Sequence, residues 1–275
     1  MRVHHLNCGT CCPVGGRFMD GVSAGVEGRI VCHCLLIESD RGLILVDTGL
    51  GTRDVANPAR MSKLFRNLLN VQLRPHETAI AQVRALGFAP EDVRHIVLSH
   101  LDFDHAGGIE DFPWATVHCL ARERDAARAL DGGVTGPMRY LPAQWDEVSD
   151  WRVYRAGGER WHGFDAVRDL QGLPPEILLV PLAGHTWGHA GIAVAEPDGW
   201  LFYAGDAYMY RGEVGLTRPQ RTPGTTLLQT TTEVDRAARL MNQARLRRLS
   251  IDRADEVRMF CAHDAVEFDL LAARG

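Results

Sequence analysis

Apolar residues in this chain come in short runs that break on polar residues, and most of the runs read as strands. Ile30 to Glu38 and Leu43 to Asp47 form a first pair, with Asp40–Gly42 as the turn between them. His95 to Ser99 follows a helical segment, Glu77 to Leu86, and a turn at Gly87 to Asp92. Thr116 to Leu120 leads into a helix at Ala121 to Leu130. Further on come Ile177 to Leu182, Gly191 to Ala195 and Leu201 to Ala204, the last two joined by a Pro197-Asp198-Gly199 hairpin turn. A helix is predicted over Glu233 to Leu249, with Leu240, Ala244 and Leu249 near one face and many arginines opposite. Val257 to Cys261 is a last strand, and Val266 to Ala273 a closing helix. Strands cluster in both halves and helices fall between them, which predicts two sheets sandwiched by helices rather than one doubly wound sheet.

Residues 131–165 break this rhythm. They are rich in Gly, Pro and Trp and read as a long excursion over the surface, of the kind that forms lids and binding loops. No internal repeat or low-complexity segment appears. A chain of 275 residues with 45% hydrophobic and 24% charged residues has the composition of an ordinary globular protein, and we expect one domain over 1–275. A net charge of −5 without a long basic run predicts no nucleic-acid partner. No apolar run approaches the roughly 18 residues of a membrane span, and the start carries no secretory pattern. Seven cysteines, an odd number, then read as reduced thiols in a cytoplasmic protein.

The candidate chemistry is concentrated at predicted strand ends. Ser99-His100-Leu101-Asp102-Phe103-Asp104-His105-Ala106-Gly107-Gly108 places two imidazoles and two carboxylates directly after a strand. Histidine and carboxylate donors suit Zn²⁺ and also Fe or Mn. Leu101 and Phe103 alternate with them on a core-facing side, a poor pattern for a solvated surface. Gly184-His185-Thr186-Trp187-Gly188-His189, Gly205-Asp206 and His263-Asp264 each follow a further strand. Polar groups placed repeatedly at strand ends are what a site on a rigid scaffold needs.

This order resembles the metallo-β-lactamase superfamily, whose usual first motif is His-x-His-x-Asp-His, and the likeness runs from Val46-Asp47-Thr48-Gly49 to His263. Within it the chain looks most like the N-acyl-homoserine lactonase branch, on Leu45-Val46-Asp47-Thr48-Gly49, His105-Ala106-Gly107-Gly108 and Ala262-His263-Asp264. The resemblance implies a four-layer αββα sandwich and a metal-dependent hydrolase acting on ester bonds. It implies two divalent metal ions, with Zn²⁺ first and Mn²⁺ or Fe²⁺ as alternatives. One would sit on His100, Asp102 and His185, the other on Asp104, His105 and His263, and Asp206 would bridge them. Asp47 would orient a ligand rather than bind, and His189 would be a buried hydrogen-bonding residue.

The implied reaction is opening of a neutral lactone or ester by a metal-bridging hydroxide, with Asp104 and Asp206 central to it. A thioesterase or phosphodiesterase of the same fold, a di-iron oxidoreductase and a non-catalytic metal-binding module are the alternatives. The substrate would be a small molecule, and a homodimer is left open.

Asp102 departs from the family pattern, which usually has His there. A third carboxylate beside Asp104 and Asp206 brings the metal pair close to neutral. That weakens its Lewis acidity, disfavours anionic substrates and shifts preference slightly toward harder ions. Tyr208 and Tyr210 flank the position, here Met209, where the resembled lactonases carry a carbonyl-side tyrosine. Either is a candidate for stabilising a developing oxyanion. Trp145, Trp151 and Trp161 could wall an apolar pocket or pack within the excursion. Cys8-Gly9-Thr10-Cys11-Cys12 contains a Cys-x-x-Cys that reads as reduced thiols in a loop after the first strand, outside the metal site.

Overall fold

The computed structural model describes residues 1–167, 170–215 and 217–273. Its first six strands form one sheet in sequential order: β1 (Arg2–Cys11), β2 (Ile30–Ser39), β3 (Gly42–Val46), β4 (Val93–Val97), β5 (Thr116–Leu120) and β6 (Trp151–Tyr154). A short hairpin of β7 (Glu159–Trp161) and β8 (Phe164–Ala166) follows. The second large sheet has four strands in the order β12-β11-β10-β9, formed by β9 (Ile177–Pro181), β10 (Ala190–Glu196), β11 (Gly199–Tyr203) and β12 (Val257–Phe260).

The residue alternation in each strand explains the layering. In β2, Leu35 and Ile37 point into a core shared with Ile44 and Val46 of β3 and with Leu179, Ile192, Val194 and Tyr203 of the second sheet. Their neighbours Cys34 and Leu36 point the opposite way, onto Ile80, Val83 and Ala127 of covering helices. The second sheet repeats this on its outer face, where Leu178, Val180 and Phe202 meet Leu246 and Leu249 of the helix Arg236–Asp252. Strands buried on both faces read as continuous apolar runs, and helices must cover both outer faces. The result is the αββα sandwich that the resemblance implied. No described helix is long and apolar enough to cross a membrane.

Three elements differ from expectation. The 131–165 segment is largely packed: it contributes the edge strand β6, the hairpin β7–β8 and the short helix Gly136–Arg139. Trp145 and Trp161 are buried in two hydrophobic clusters and Trp151 packs against the first, so all three tryptophans serve the cores. Cys8 and Cys11 lie within β1, not after it, and both are buried. The helix Arg236–Asp252 buries Arg239, Asn242, Gln243, Leu246 and Leu249, a face rotated away from Leu240. Polar residues can turn inward there because they satisfy one another. Arg239 donates to Gln229 at 2.6 Å, and Gln229 and Gln243 donate to the two oxygens of Glu213 at 2.6 and 2.9 Å.

Candidate metal centre

Five strand ends deliver the site. β3 runs into Asp47, which takes a left-handed conformation at φ 53°, and the chain then turns at Gly49 (φ 61°). A side chain at Gly49 would meet the Cys8 carbonyl oxygen at 2.2 Å, so this turn needs glycine. Asp47 faces inward at 0% exposure and accepts four hydrogen bonds. They come from Ser99 N (2.7 Å) and Ser99 Oγ (2.6 Å), His105 Nδ1 (2.8 Å) and Tyr203 Oη (2.7 Å).

These bonds set the tautomers. Ser99 Oγ spends its proton on Asp47, so it accepts from His100 Nδ1 at 2.9 Å. His105 donates from Nδ1 to Asp47, and His263 from Nδ1 to the Val31 carbonyl at 2.8 Å. In the neutral form of all three rings the lone pair is left on Nε2, and the Nε2 atoms turn toward the side where Asp104 and Asp206 lie. His105 Nε2 lies 3.4 Å from Asp206 and 4.0 Å from Asp104, and His263 Nε2 lies 3.1 Å from Asp206 and 3.8 Å from Asp104. His189 is buried and accepts the Asp206 backbone N–H at 2.9 Å.

The electrostatics of this centre call for a cation. Burial opposes charge on His105, yet Asp206, Asp104 and Asp47 pull its pKa up to about 10. His263 is likewise buried and is drawn up to about 9 by Asp206 and Asp104. Three buried ligand atoms, His100 Nε2, His105 Nε2 and Asp206 Oδ1, have no hydrogen-bond partner among the described residues. The three residues each place a possible ligand atom within 4.8 Å of the others. Orphaned polar atoms at full burial are costly, and one divalent ion satisfies all three, so these residues fit a metal.

The half-site of His100, Asp102 and His185 is arranged differently. Its atoms also lie within 4.8 Å of one another, but Arg139 stands among them, 1% exposed. An antiparallel bridge between Asp102 and Tyr140 brings the helix Gly136–Arg139 alongside. Arg139 Nε donates to Asp102 Oδ1 at 2.7 Å and its NH2 group donates to Oδ2. The same NH2 lies 2.6 Å from His185 Nε2. Guanidinium is always a donor, so that nitrogen is the acceptor. Burial and then Arg139 lower the His185 pKa, which keeps the ring neutral. Burial raises the Asp102 pKa, but Arg139 and His100 outweigh it and hold the carboxyl well below its usual range.

Two further groups carry no sequence signal of their role. Glu123 is buried and ties the two ligand loops together: it accepts from Leu101 N (3.0 Å), Thr186 Oγ1 (2.5 Å) and Gly188 N (3.1 Å). A Cβ at Gly188 would stand 2.1 Å from Glu123 N, so only glycine lets this loop approach the start of the helix Ala121–Arg128 so closely. Cys32 Sγ joins Asp104 and His263 within 4.8 Å; burial and the Asp104 carboxylate hold its thiol protonated. The candidate tyrosines take other places. Tyr208 is fully buried and donates to Glu267 at 3.1 Å, and Tyr210 packs under the Arg211 guanidinium at 4.8 Å. Met209, between them, borders the cleft instead.

That cleft has a volume of about 450 Å³ and opens over Asp104, Asp206 and His263. Leu64, Phe65 and Leu68 of the helix Lys63–Leu69 form one wall, and Leu227 and Leu228 of the helix Pro223–Thr232 form the other.

Known proteins share this sequence and architecture. The chain is 41% identical over 213 residues to a probable metallo-hydrolase of Mycobacterium tuberculosis, a match covering 77% of this chain and spanning 64% of that relative's length. It is 29% identical over 176 residues to an N-acyl homoserine lactonase of Azorhizobium caulinodans, covering 63% of each. Among solved structures, an N-acyl homoserine lactone hydrolase with N-hexanoyl-L-homoserine at its catalytic metal centre superposes with a TM-score of 0.68. That superposition has 19% identity and covers 98% of this chain and 95% of the other. The family model of the metallo-beta-lactamase superfamily matches residues 28–244, and the chain belongs to that superfamily.

Proposed function

We propose that this chain is a metal-dependent hydrolase that opens a neutral lactone or carboxylic ester carrying an apolar chain. The observation that carries the reading is the placement of Asp104, Asp206 and His263 at the floor of a cleft walled by leucines, with His105 buried behind them, its Nε2 3.4 Å from Asp206. An apolar substituent can lie between the helices Lys63–Leu69 and Pro223–Thr232 while a carbonyl reaches the floor. The lactonase activity named for similar proteins agrees with this chemistry.

A bound divalent ion would supply Lewis acidity and lower the pKa of a coordinated water. His105 would hold it with Asp206, through the nitrogen that Asp47 leaves free. Asp104 is the most exposed of the three site carboxylates. It is placed to take a proton from the attacking water and return it to the leaving oxygen. Asp104 and Asp206 neutralise the divalent ion, so the floor offers no net positive charge to draw in an anionic substrate.

Assays of metal-stripped and metal-reloaded protein against lactones, thioesters and phosphodiesters test this. Hydrolysis of neutral lactones or esters that returns with Zn²⁺, Mn²⁺ or Fe²⁺ is the expected result. Turnover confined to phosphodiesters or thioesters would replace the substrate assignment. Silence across the panel after reloading would remove the hydrolase reading.

A further inference from the structure

We propose that Arg139 occupies the half-site of His100, Asp102 and His185 as a built-in cation, so that this chain holds one divalent metal where the sequence pattern implies two. The proposal rests on the reading of this centre as a metal site, and it changes what Asp102 does there: the aspartate anchors an arginine and is not a ligand.

The hydrogen bonds around Arg139 form a closed set. Nε and NH2 take both oxygens of Asp102, NH2 also takes His185 Nε2, and NH1 takes the carbonyl of Thr232, with that of His185 at 3.4 Å. Both donor atoms that a metal would need from Asp102 and His185 are therefore engaged by a group that cannot lose its proton. Arg139 is 1% exposed and Asp102 is 6% exposed, so the pair is almost wholly withdrawn from water at the wall of the cleft. A divalent ion entering this half-site would have to displace the guanidinium from Asp102 and His185, separating a buried charge from the carboxylate that neutralises it. The cost of an unpaired buried charge is the strongest penalty available in such a place.

The neighbouring positions show the opposite pattern. His100 Nε2, His105 Nε2 and Asp206 Oδ1 are buried, convergent and unpartnered among the described residues. The ligand atoms thus divide into a set already satisfied by Arg139 and a set left waiting for an ion. Charge divides in the same way. Asp102 and Arg139 cancel, and one divalent ion cancels Asp104 and Asp206. His100 faces both sets, its Nε2 standing 3.4 Å from Asp102 Oδ2.

Metal content at saturation, measured by elemental analysis, tests this without reference to activity. One equivalent is expected in the wild type and two in Arg139→Ala, where the emptied half-site regains Asp102 and His185 as donors. Replacing the pair together, Asp102→Leu with Arg139→Leu, removes both charges and is expected to keep one equivalent. This variant carries the test should Arg139→Ala fail to fold. Co²⁺-loaded wild type should give the electron paramagnetic resonance signal of an isolated high-spin ion. Two equivalents in the wild type, spin coupling between cobalt ions, one equivalent in folded Arg139→Ala, or loss of the single metal in the double variant would each overturn the proposal. A protein that binds one metal and hydrolyses nothing would sustain it while removing the proposed function.

Discussion

Asp47 accepts a hydrogen bond from His105 Nδ1 at 2.8 Å, and this contact decides which nitrogen of the ring faces the metal centre. Asp47 is reached through the left-handed turn that ends β3, so the end of one strand sets the tautomer of a residue on another segment.

Asp47→Asn keeps the shape and tolerates the positive φ, since asparagine enters the left-handed region readily. Its amide nitrogen would face donors from Ser99, His105 or Tyr203, where the carboxylate now accepts from all of them. We expect metal affinity to fall by about 10- to 100-fold, the usual effect of losing such an orienting partner. Competition with a chromophoric chelator measures it, and unchanged affinity would show that the His105 tautomer does not depend on Asp47.

The walls of the cleft give a second expectation. Leu68 and Leu227 are 62% and 66% exposed, so substituting them leaves the cores intact. Leu68→Ser with Leu227→Ser should raise KM for long-chain lactones or esters by about tenfold, roughly 1.4 kcal/mol, and leave kcat and short-chain substrates nearly unchanged. An equal effect on short and long chains would show that the apolar moiety lies elsewhere.

The sandwich was legible because both sheets are buried on both faces, so their apolar runs stand out against polar strand ends. The loops of the candidate site stood out because His100, His185, Asp206 and His263 each come shortly after such a run. The cleft walls were not. The helices Lys63–Leu69 and Pro223–Thr232 turn Leu64, Leu68 and Leu227 outward, and the second is a run of threonines around one leucine pair. Their signals are local: Ser62 caps the first, and Thr222 caps the second ahead of Pro223. Arg139 was invisible for a different reason. It lies 37 residues from Asp102 in a Gly- and Pro-rich stretch, and the fold brings the two together through the Asp102–Tyr140 bridge. An aspartate at a usual histidine position is a local departure, but its compensating charge is recorded elsewhere in the chain. Tyr208 misled because position along a loop does not fix direction: its hydroxyl turns to Glu267, beneath the site.

That Tyr208–Glu267 contact yields the last expectation. Glu267 is buried, and it accepts from Tyr208 Oη at 3.1 Å and from Cys261 N at 2.9 Å. Burial and the nearby Asp264 carboxylate push its pKa up to about 8 from an ordinary 4.5. The folded protein therefore keeps the proton between pH 4.5 and about 8, while the unfolded chain releases it. More protons on the folded state mean that stability falls as pH rises through this window. The limiting slope for one group is about 1.4 kcal/mol per pH unit. Glu267→Gln cannot ionise. Its carbonyl can accept from Cys261 N, and its amide can donate to the Tyr208 oxygen in place of the present bond. The variant should match the wild type in Tm near pH 4.5, gain on it steadily up to pH 8, and hold a constant advantage above that. Thermal melts of the two proteins across this range supply the comparison. Parallel Tm curves would mean that Glu267 is ionised in the folded protein at neutral pH, and that the hydrogen bonds from Tyr208 and Cys261 outweigh the burial and the Asp264 carboxylate that oppose its charge.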